Sequence, residues 1–167
     1  YQYKTIIGYD QQIDKGILKG NLYLTGMGDP TLGSDRWNTS KEAIVLKSIL
    51  NILQQNKIHS ISGDLVGDDS KFTNDPLPHG WVWEDIGNYY GAGAWGLNWL
   101  ENKFDITFKT GNLQNESTKI VSTKPASLLS EYTFANFVNT GSKGSGDNAY
   151  LFSSPFHTNI IARGTVP

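Results

Sequence analysis

The chain has 167 residues, with 14 Lys and Arg against 16 Asp and Glu, and no cysteine. That length suits one domain, or one domain with a small subdomain; the near-neutral balance without a basic stripe argues against a nucleic-acid partner; and disulfides and thiolate metal sites are excluded. Apolar content is 38% with 12% aromatic residues, so the hydrophobicity sits in Trp, Tyr and Phe, and runs such as Ala43–Leu46 are far too short to span a membrane.

Tyr1–Tyr9, rich in Tyr, Ile and Thr, predicts a strand. A polar turn at Asp10–Lys15 leads to a second strand over Gly16–Gly26, expected to pair with the first. Gly26-Met27-Gly28-Asp29-Pro30 ends it, and Pro30 biases Asp29 towards an extended backbone. The spacing then predicts a helix from Thr39 to Asn56. Thr39 and Glu42 match a capping box. Ala43, Leu46, Leu50 and Leu53 form an apolar face, widened by Val45, Ile49 and Ile52, with Lys41, Lys47, Asn51 and Gln54 opposite. Its expected role is to cover a sheet. Ile58–Leu65 returns as a strand ending at Gly67-Asp68-Asp69, and this strand–helix–strand order implies a crossover unit.

Asp75–Gly80 is a proline-containing loop, and Trp81–Leu100, dense in aromatics and glycine, fits neither period. Further strands are predicted at Asn102–Phe108, Ser117–Val121, Tyr132–Val138, Tyr150–Phe152 and Thr158–Val166. A turn is expected at Thr110-Gly111-Asn112, and the Gly/Ser loop Thr140–Asn148 suits a hairpin. The fold class is α/β to α+β: a mixed β-sheet with flanking helices over about residues 1–75, and a smaller β-rich subdomain over about residues 100–167. Tyr at position 1 and the strand-like Thr-Val-Pro at the end read as a piece of a longer chain.

Residues able to carry chemistry are scattered. His59, His79 and His157 lack short metal-ligand spacing, and structural or exposed roles are favoured. No metal or cofactor is expected. Asp64, Asp68 and Asp69 cluster without the spacing of a calcium loop, and capping of a turn is favoured. Gly141–Gly146 lacks the ending of a phosphate loop and reads as a hairpin loop. Lys109-Thr110-Gly111 matches one of three motifs of serine penicilloyl enzymes. However, no serine has Lys three positions later and none has Asn two positions later. The triplet therefore reads as a coincidence at a strand end, and no catalytic residue is expected in the chain. The densest cluster is Trp81, Trp83, Tyr89, Tyr90, Trp95 and Trp99, with Glu84 and Asp85 among them. It reads equally as an aromatic core and as a cleft wall whose carboxylate meets an ammonium.

Two longer segments carry a resemblance. Residues 20–32, Gly-Asn-Leu-Tyr-Leu-Thr-Gly-Met-Gly-Asp-Pro-Thr-Leu, and residues 61–72, Ile-Ser-Gly-Asp-Leu-Val-Gly-Asp-Asp-Ser-Lys-Phe, are followed by Gly80-Trp81, by Tyr90-Gly91-Ala92 through Leu97-Asn98, and by Asn102-Lys103-Phe104. In order and spacing, across about Tyr3 to Phe104, they resemble the penicillin-binding protein 4 family, the class C low-molecular-mass D-alanyl-D-alanine carboxypeptidases and endopeptidases. The departure is Ala92-Gly93-Ala94, where the family has Ala-Pro. Beyond Phe104 the likeness is weaker, through strands ending at Ala162–Pro167.

The resemblance implies a non-catalytic insert, an α/β domain with a β-rich part nested in it, lying between the catalytic motifs of a serine-type peptidase that remodels peptidoglycan in the periplasm or otherwise outside the cytoplasm. Its partners would be the stem peptide and the catalytic domain of the same polypeptide, with β-lactams bound through the parent only. Trp83, Asp85 and Tyr90 would be the residues that read the diaminopimelate-like side chain. The rival is a stand-alone glycan- or peptide-binding module with an aromatic platform.

Overall fold

The structure is a computed structural model that describes residues 2–154 and 156–167. Tyr1, included in the expected first strand, lies outside the described residues. The chain forms two compact units. Unit 1 is Tyr1–Leu77 with Gly93–Asn102, and unit 2 is Pro78–Ala92 with Lys103–Pro167. The unassigned aromatic stretch is thus divided between them.

Unit 1 is a mixed sheet with one helix. Three passes of the chain build it: β1 (Thr5–Tyr9) running into β2 (Ile13–Asp14), β3 (Ile17–Leu18) into β4 (Leu22–Gly26), and β5 (Ser60–Ile61) into β6 (Leu65–Asp68). The first and second passes pair antiparallel, and the second and third parallel. The parallel pair, joined through helix α1 (Glu42–Gln55), is the expected crossover. Each pass is interrupted at the same level, so the strands expected over 16–26 and 58–65 are split. The physical reason is an asparagine. The Asn21 amide N–H donates to Asp10 Oδ1 at 2.9 Å, and Asn21 Oδ1 accepts the Asp64 amide at 2.9 Å. Side-chain oxygens replace ladder acceptors there. Tyr23 closes the bridge by donating its hydroxyl to Asp10 Oδ2 at 2.9 Å. A Cβ at Gly63 would overlap the Gly20 carbonyl, so both glycines are needed for the passes to meet. Beneath lies the core of Leu18, Leu22 and Ile58, backed by Ile7, Ile13, Leu53 and Ile61. Truncating a buried leucine of this kind costs about 2–5 kcal/mol.

Helix α1 corrects two expectations. Lys41 occupies the N-cap position and no side chain caps the helix, so the Thr39–Glu42 box does not form. The neighbouring Ser40 hydroxyl instead donates to Ser34 O at 2.8 Å. The inward stripe is Val45, Ile49 and Leu53, all half-buried, whereas Leu46 and Leu50 are 45% and 58% exposed. Eight apolar residues make up more than half of the helix, so periodicity alone did not fix which side faces the sheet. An apolar pocket of about 320 Å³ remains between helix and sheet, lined by Ile7, Leu24, Val45, Ile49, Ile52 and Leu97 among others.

The segment before the second unit is a left-handed turn rather than the start of a strand. Leu100, Glu101 and Asn102 have φ of 51°, 59° and 54°. Each costs about 1–2 kcal/mol in that conformation. Burial of Leu100, an Arg36 Nε contact to both Glu101 oxygens at 2.9 and 3.0 Å, and an Asn102 Nδ2 bond to Gly93 O at 2.8 Å offset this cost.

Unit 2 is β-rich. It holds short α2 (Trp83–Ile86), β7 (Asp105–Lys109), β8 (Lys119–Lys124), α3 (Leu128–Glu131), β9 (Thr133–Thr140), β10 (Tyr150–Phe152) and β11 (Asn159–Val166). β7 and β8 form an antiparallel pair. β11 lies centrally, parallel to β9 over eight residues and antiparallel to β10. The loop 140–148 therefore does not close a hairpin between its flanking strands, because β11 is inserted between them. Val138, Ile160 and Ala162 are buried on one face of this sheet.

One acidic group reports on the unit 1 sheet. Asp68 opposes Thr25 across β4 and β6 and accepts its hydroxyl at 3.2 Å. It also accepts the Ser70 amide at 3.0 Å, so it caps the turn as expected. Hydrogen bonds from the Ser70 hydroxyl, then its amide, with lesser help from Thr25 and the Lys71 charge, hold its carboxyl below the ordinary 3.8. A lowered folded value means that this stabilisation is complete above 3.8 and fades as pH falls from there through the folded value. Asp68→Asn is therefore expected to lower the urea midpoint at neutral pH, and the gap from wild type should narrow in titrations taken below pH 3.8.

Candidate functional site

The candidate residues Trp83, Asp85 and Tyr90 all lie in one turn of unit 2, between Val82 and Gly91. Helix α2 is too short to be stable alone. It is held against β10 because Gly87 carries no side chain: a Cβ there would overlap the Leu151 carbonyl oxygen. The chain then folds back. Asn88 N–H donates to Asp85 O at 3.0 Å and Gly91 N–H to Asn88 O at 2.8 Å, while the Asn88 side-chain amide donates to Glu84 O at 2.8 Å. Gly91 lies so close to the Asp85 carbonyl that a Cβ would overlap it.

This winding brings Asp85 and Tyr90 together. The Asp85 carboxylate acts on the Tyr90 hydroxyl as a charge and as an acceptor. Partial burial of the hydroxyl, then the Asp85 charge, then that hydrogen bond and Tyr89, raise the Tyr90 pKa above its ordinary 10.0. Tyr90 is thus a protonated donor throughout the neutral range. Tyr89 packs edge-to-face on Tyr90, with centroids 5.3 Å apart. Trp83 takes a different partner. Residues two apart on a helix point to opposite sides, and Trp83 stacks on Phe152 of β10 at 6.4 Å with planes 30° apart. The structure therefore pairs two of the three candidates and places the third on the neighbouring sheet. Phe152 gave no signal in the sequence beyond lying in a predicted strand.

The aromatic stretch divides by exposure. Trp95 and Trp99 are half-buried in unit 1, whereas Trp81, Trp83, Tyr89 and Tyr90 are 38%, 53%, 69% and 57% exposed in unit 2. The other candidates lie apart from this turn. Lys109-Thr110-Gly111 ends β7, and its turn is held by a Gly111 N–H bond to Thr140 Oγ1 at 2.9 Å and by Glu116 Oε2 accepting from Asn112 N at 2.7 Å. His59, His79 and His157 are exposed, and among the described residues no three His, Asp or Glu side chains converge as a metal site. No helix among them is long and apolar enough to cross a membrane.

Gly87→Ala should free α2 from β10. The expected result is a loss of near-ultraviolet circular dichroism from the Trp83–Phe152 stack with little change in far-ultraviolet signal, since only a four-residue helix is affected. An unaltered aromatic spectrum would show that Leu151 does not set the helix position.

Comparison with known proteins agrees with this picture. Over 86 residues the chain is 34% identical to D-alanyl-D-alanine carboxypeptidase DacB of Haemophilus influenzae, a match covering 52% of this chain and 16% of that protein. The crystal structure of penicillin-binding protein 4 (dacB) from H. influenzae superposes on 99% of this chain and 34% of its own, with TM-score 0.70 and 23% identity. The same protein complexed with a β-lactam gives TM-score 0.58 at 21% identity over 99% of this chain and 31% of its own. The chain thus spans about a third of the solved relative, with which it shares the fold of a mixed α/β part and a β-rich part. The sequence model of the D-Ala-D-Ala carboxypeptidase 3 (S13) family matches residues 1–167, so the whole chain belongs to that peptidase family.

Proposed function

We propose that this chain is the non-catalytic insert of a serine-type D-Ala-D-Ala carboxypeptidase or endopeptidase that remodels peptidoglycan outside the cytoplasm, and that Asp85 and Tyr90 read the side chain of the stem peptide. The observation that carries the second part is the Asp85 carboxylate, set beside the Tyr90 hydroxyl on an exposed aromatic turn. A carboxylate fixed in this way attracts a terminal ammonium, while the Tyr90 ring and, from the sheet side, Trp83 offer faces for the methylene chain. Family membership supports the first part, as does the absence from this sequence of both a Ser-x-x-Lys and a Ser-x-Asn motif. The parent reaction is acylation of a serine by the D-Ala-D-Ala peptide with release of D-Ala, then hydrolysis of the acyl-enzyme. Its nucleophile and base would belong to the catalytic domain of the full-length protein, which is also where β-lactams would bind.

Magnitude decides how to test the reading. An ion pair left in water is worth about 0.2–1 kcal/mol, whereas a hydrogen bond to a charged group in a closed site is worth about 1.5–3 kcal/mol. If the catalytic domain covers the site, Asp85→Asn in the full-length enzyme should lower kcat/KM about tenfold or more on a stem peptide with a free side-chain amine. The same peptide with that amine acetylated should react alike with both enzymes. An equal kcat/KM of variant and wild type on the free amine would remove Asp85 from recognition. Separately, a fluorescent penicillin should label the full-length protein and leave this chain unlabelled; covalent label here would place a nucleophile within it.

A further inference from the structure

The exposed face of the unit 2 sheet carries a second surface. Strand register sets Phe137 of β9, Arg163 of β11 and Tyr150 of β10 in one row, and Ala135, Ile161 and Phe152 in the next. Phe137 is 58% and Tyr150 41% exposed. The Arg163 guanidinium lies 5.5 Å from the Phe137 ring centre, and Tyr150 meets Phe152 edge-to-face at 5.3 Å. Phe152 in turn carries Trp83. With strands about 4.8 Å apart, the outer rings of the first row stand about 10 Å apart, with the cation between them. The rows on either side end in amides and hydroxyls: Thr133 beside Asn159, and Asn139 beside Thr165. Among these ten positions Arg163 is the one charged side chain.

We propose that this face is a platform for the saccharide strand of the cell-wall polymer. A sugar ring has an apolar C–H face that rests on an aromatic ring, and hydroxyls at its edge that need donors and acceptors. The face supplies both in that order, rings at the centre and amides and hydroxyls at the margins. The charge suits a glycan carrying carboxyl-bearing substituents, because Arg163 meets no carboxylate on the face itself. A two-fold contact centred on this row would set Arg163 against Arg163, with no carboxylate among these ten positions to neutralise either. The surface is continuous through Phe152 with Trp83 and so with the turn that holds Asp85. The identity of the polymer rests on the stem-peptide reading above, whereas the site itself does not.

The test uses peptidoglycan glycan strands stripped of their stem peptides, with binding followed by sedimentation. The wild-type protein should bind them. Phe137→Ala and Arg163→Gln should each weaken binding about tenfold, the loss of one central contact, and Tyr150→Ala should do the same from another strand. Thermal melts should be near wild type, because all three side chains are exposed. Asp85→Asn should leave binding to stripped strands unchanged while lowering activity on stem peptides, so the two readings fail separately. Absence of wild-type binding, or wild-type binding by folded Phe137→Ala and Arg163→Gln proteins, overturns the platform. So does a monomer–dimer equilibrium that these substitutions abolish, which would assign the face to a second copy.

Discussion

The carbonyl oxygen of Leu151 limits where Asp85 can stand. Helix α2 is a single turn with no side-chain cap and no buried residue of its own, so its position comes from the strand beneath it. That strand admits it only at Gly87, where any Cβ would overlap the Leu151 oxygen. Gly91 repeats the constraint one turn on, against the carbonyl of Asp85 itself. Neither glycine adopts a left-handed backbone, so both are needed for space rather than for conformational freedom. Once α2 is seated, the Tyr90 hydroxyl reaches the carboxylate and Trp83 falls onto Phe152. The acidic turn and the aromatic sheet face thus share one close contact between backbones.

Much of the fold was legible in the sequence because its signals are local. Tyr150–Phe152 was read with the bounds that the structure shows, and β9 and β11 to within two residues, since alternating β-branched and aromatic residues between Gly/Ser-rich loops leave few other options. Helix α1 was legible in existence but not in orientation. Its inward stripe is Val45, Ile49 and Leu53, and the apolar Leu46 and Leu50 that face outwards hid it. The left-handed turn at Leu100–Asn102 and the winding of 83–91 were not legible, because both are held by contacts from distant positions such as Arg36 and Leu151. The row Phe137–Arg163–Tyr150 was hidden for a related reason. Alternation shows which residues share a strand face, but not that β11 enters between β9 and β10.

The most distinctive motif turns out to carry architecture rather than chemistry. In Gly20-Asn21-Leu22 the asparagine ties three chain passes together, and in Gly63-Asp64 the glycine allows the approach while the Asp64 amide donates to the Asn21 side-chain oxygen. Asp29 in Gly-Asp-Pro-Thr accepts from the Thr31 amide at 2.9 Å and hydroxyl at 2.7 Å, and its carbonyl takes Asn98 Nδ2 at 3.0 Å. These residues hold the passes of the sheet and the loop beside it in register. The residues that would touch substrate lie in the least patterned stretch, where the sequence is free to follow the ligand rather than a hydrogen-bond ladder.

An exposed carboxylate contributes little by its charge alone, and this bears on why Tyr90 is placed where it is. In water, Asp85 would gain under about 1 kcal/mol from an ammonium partner, and part of that would go to ordering its own side chain. In the proposed reading the Tyr90 hydroxyl, with its pKa raised by partial burial and by Asp85 itself, keeps its proton and would orient the carboxylate before a ligand arrives. Fixing a charged group in advance reduces the ordering cost of binding without adding any contact. It also sharpens selection: a ligand lacking the ammonium would leave a desolvated carboxylate with only a phenol for company, which costs more than a missing contact on a flexible surface. In the proposed reading a carboxylate, a phenol and a glycine-limited turn would together supply discrimination in a site that bound substrate closes to water.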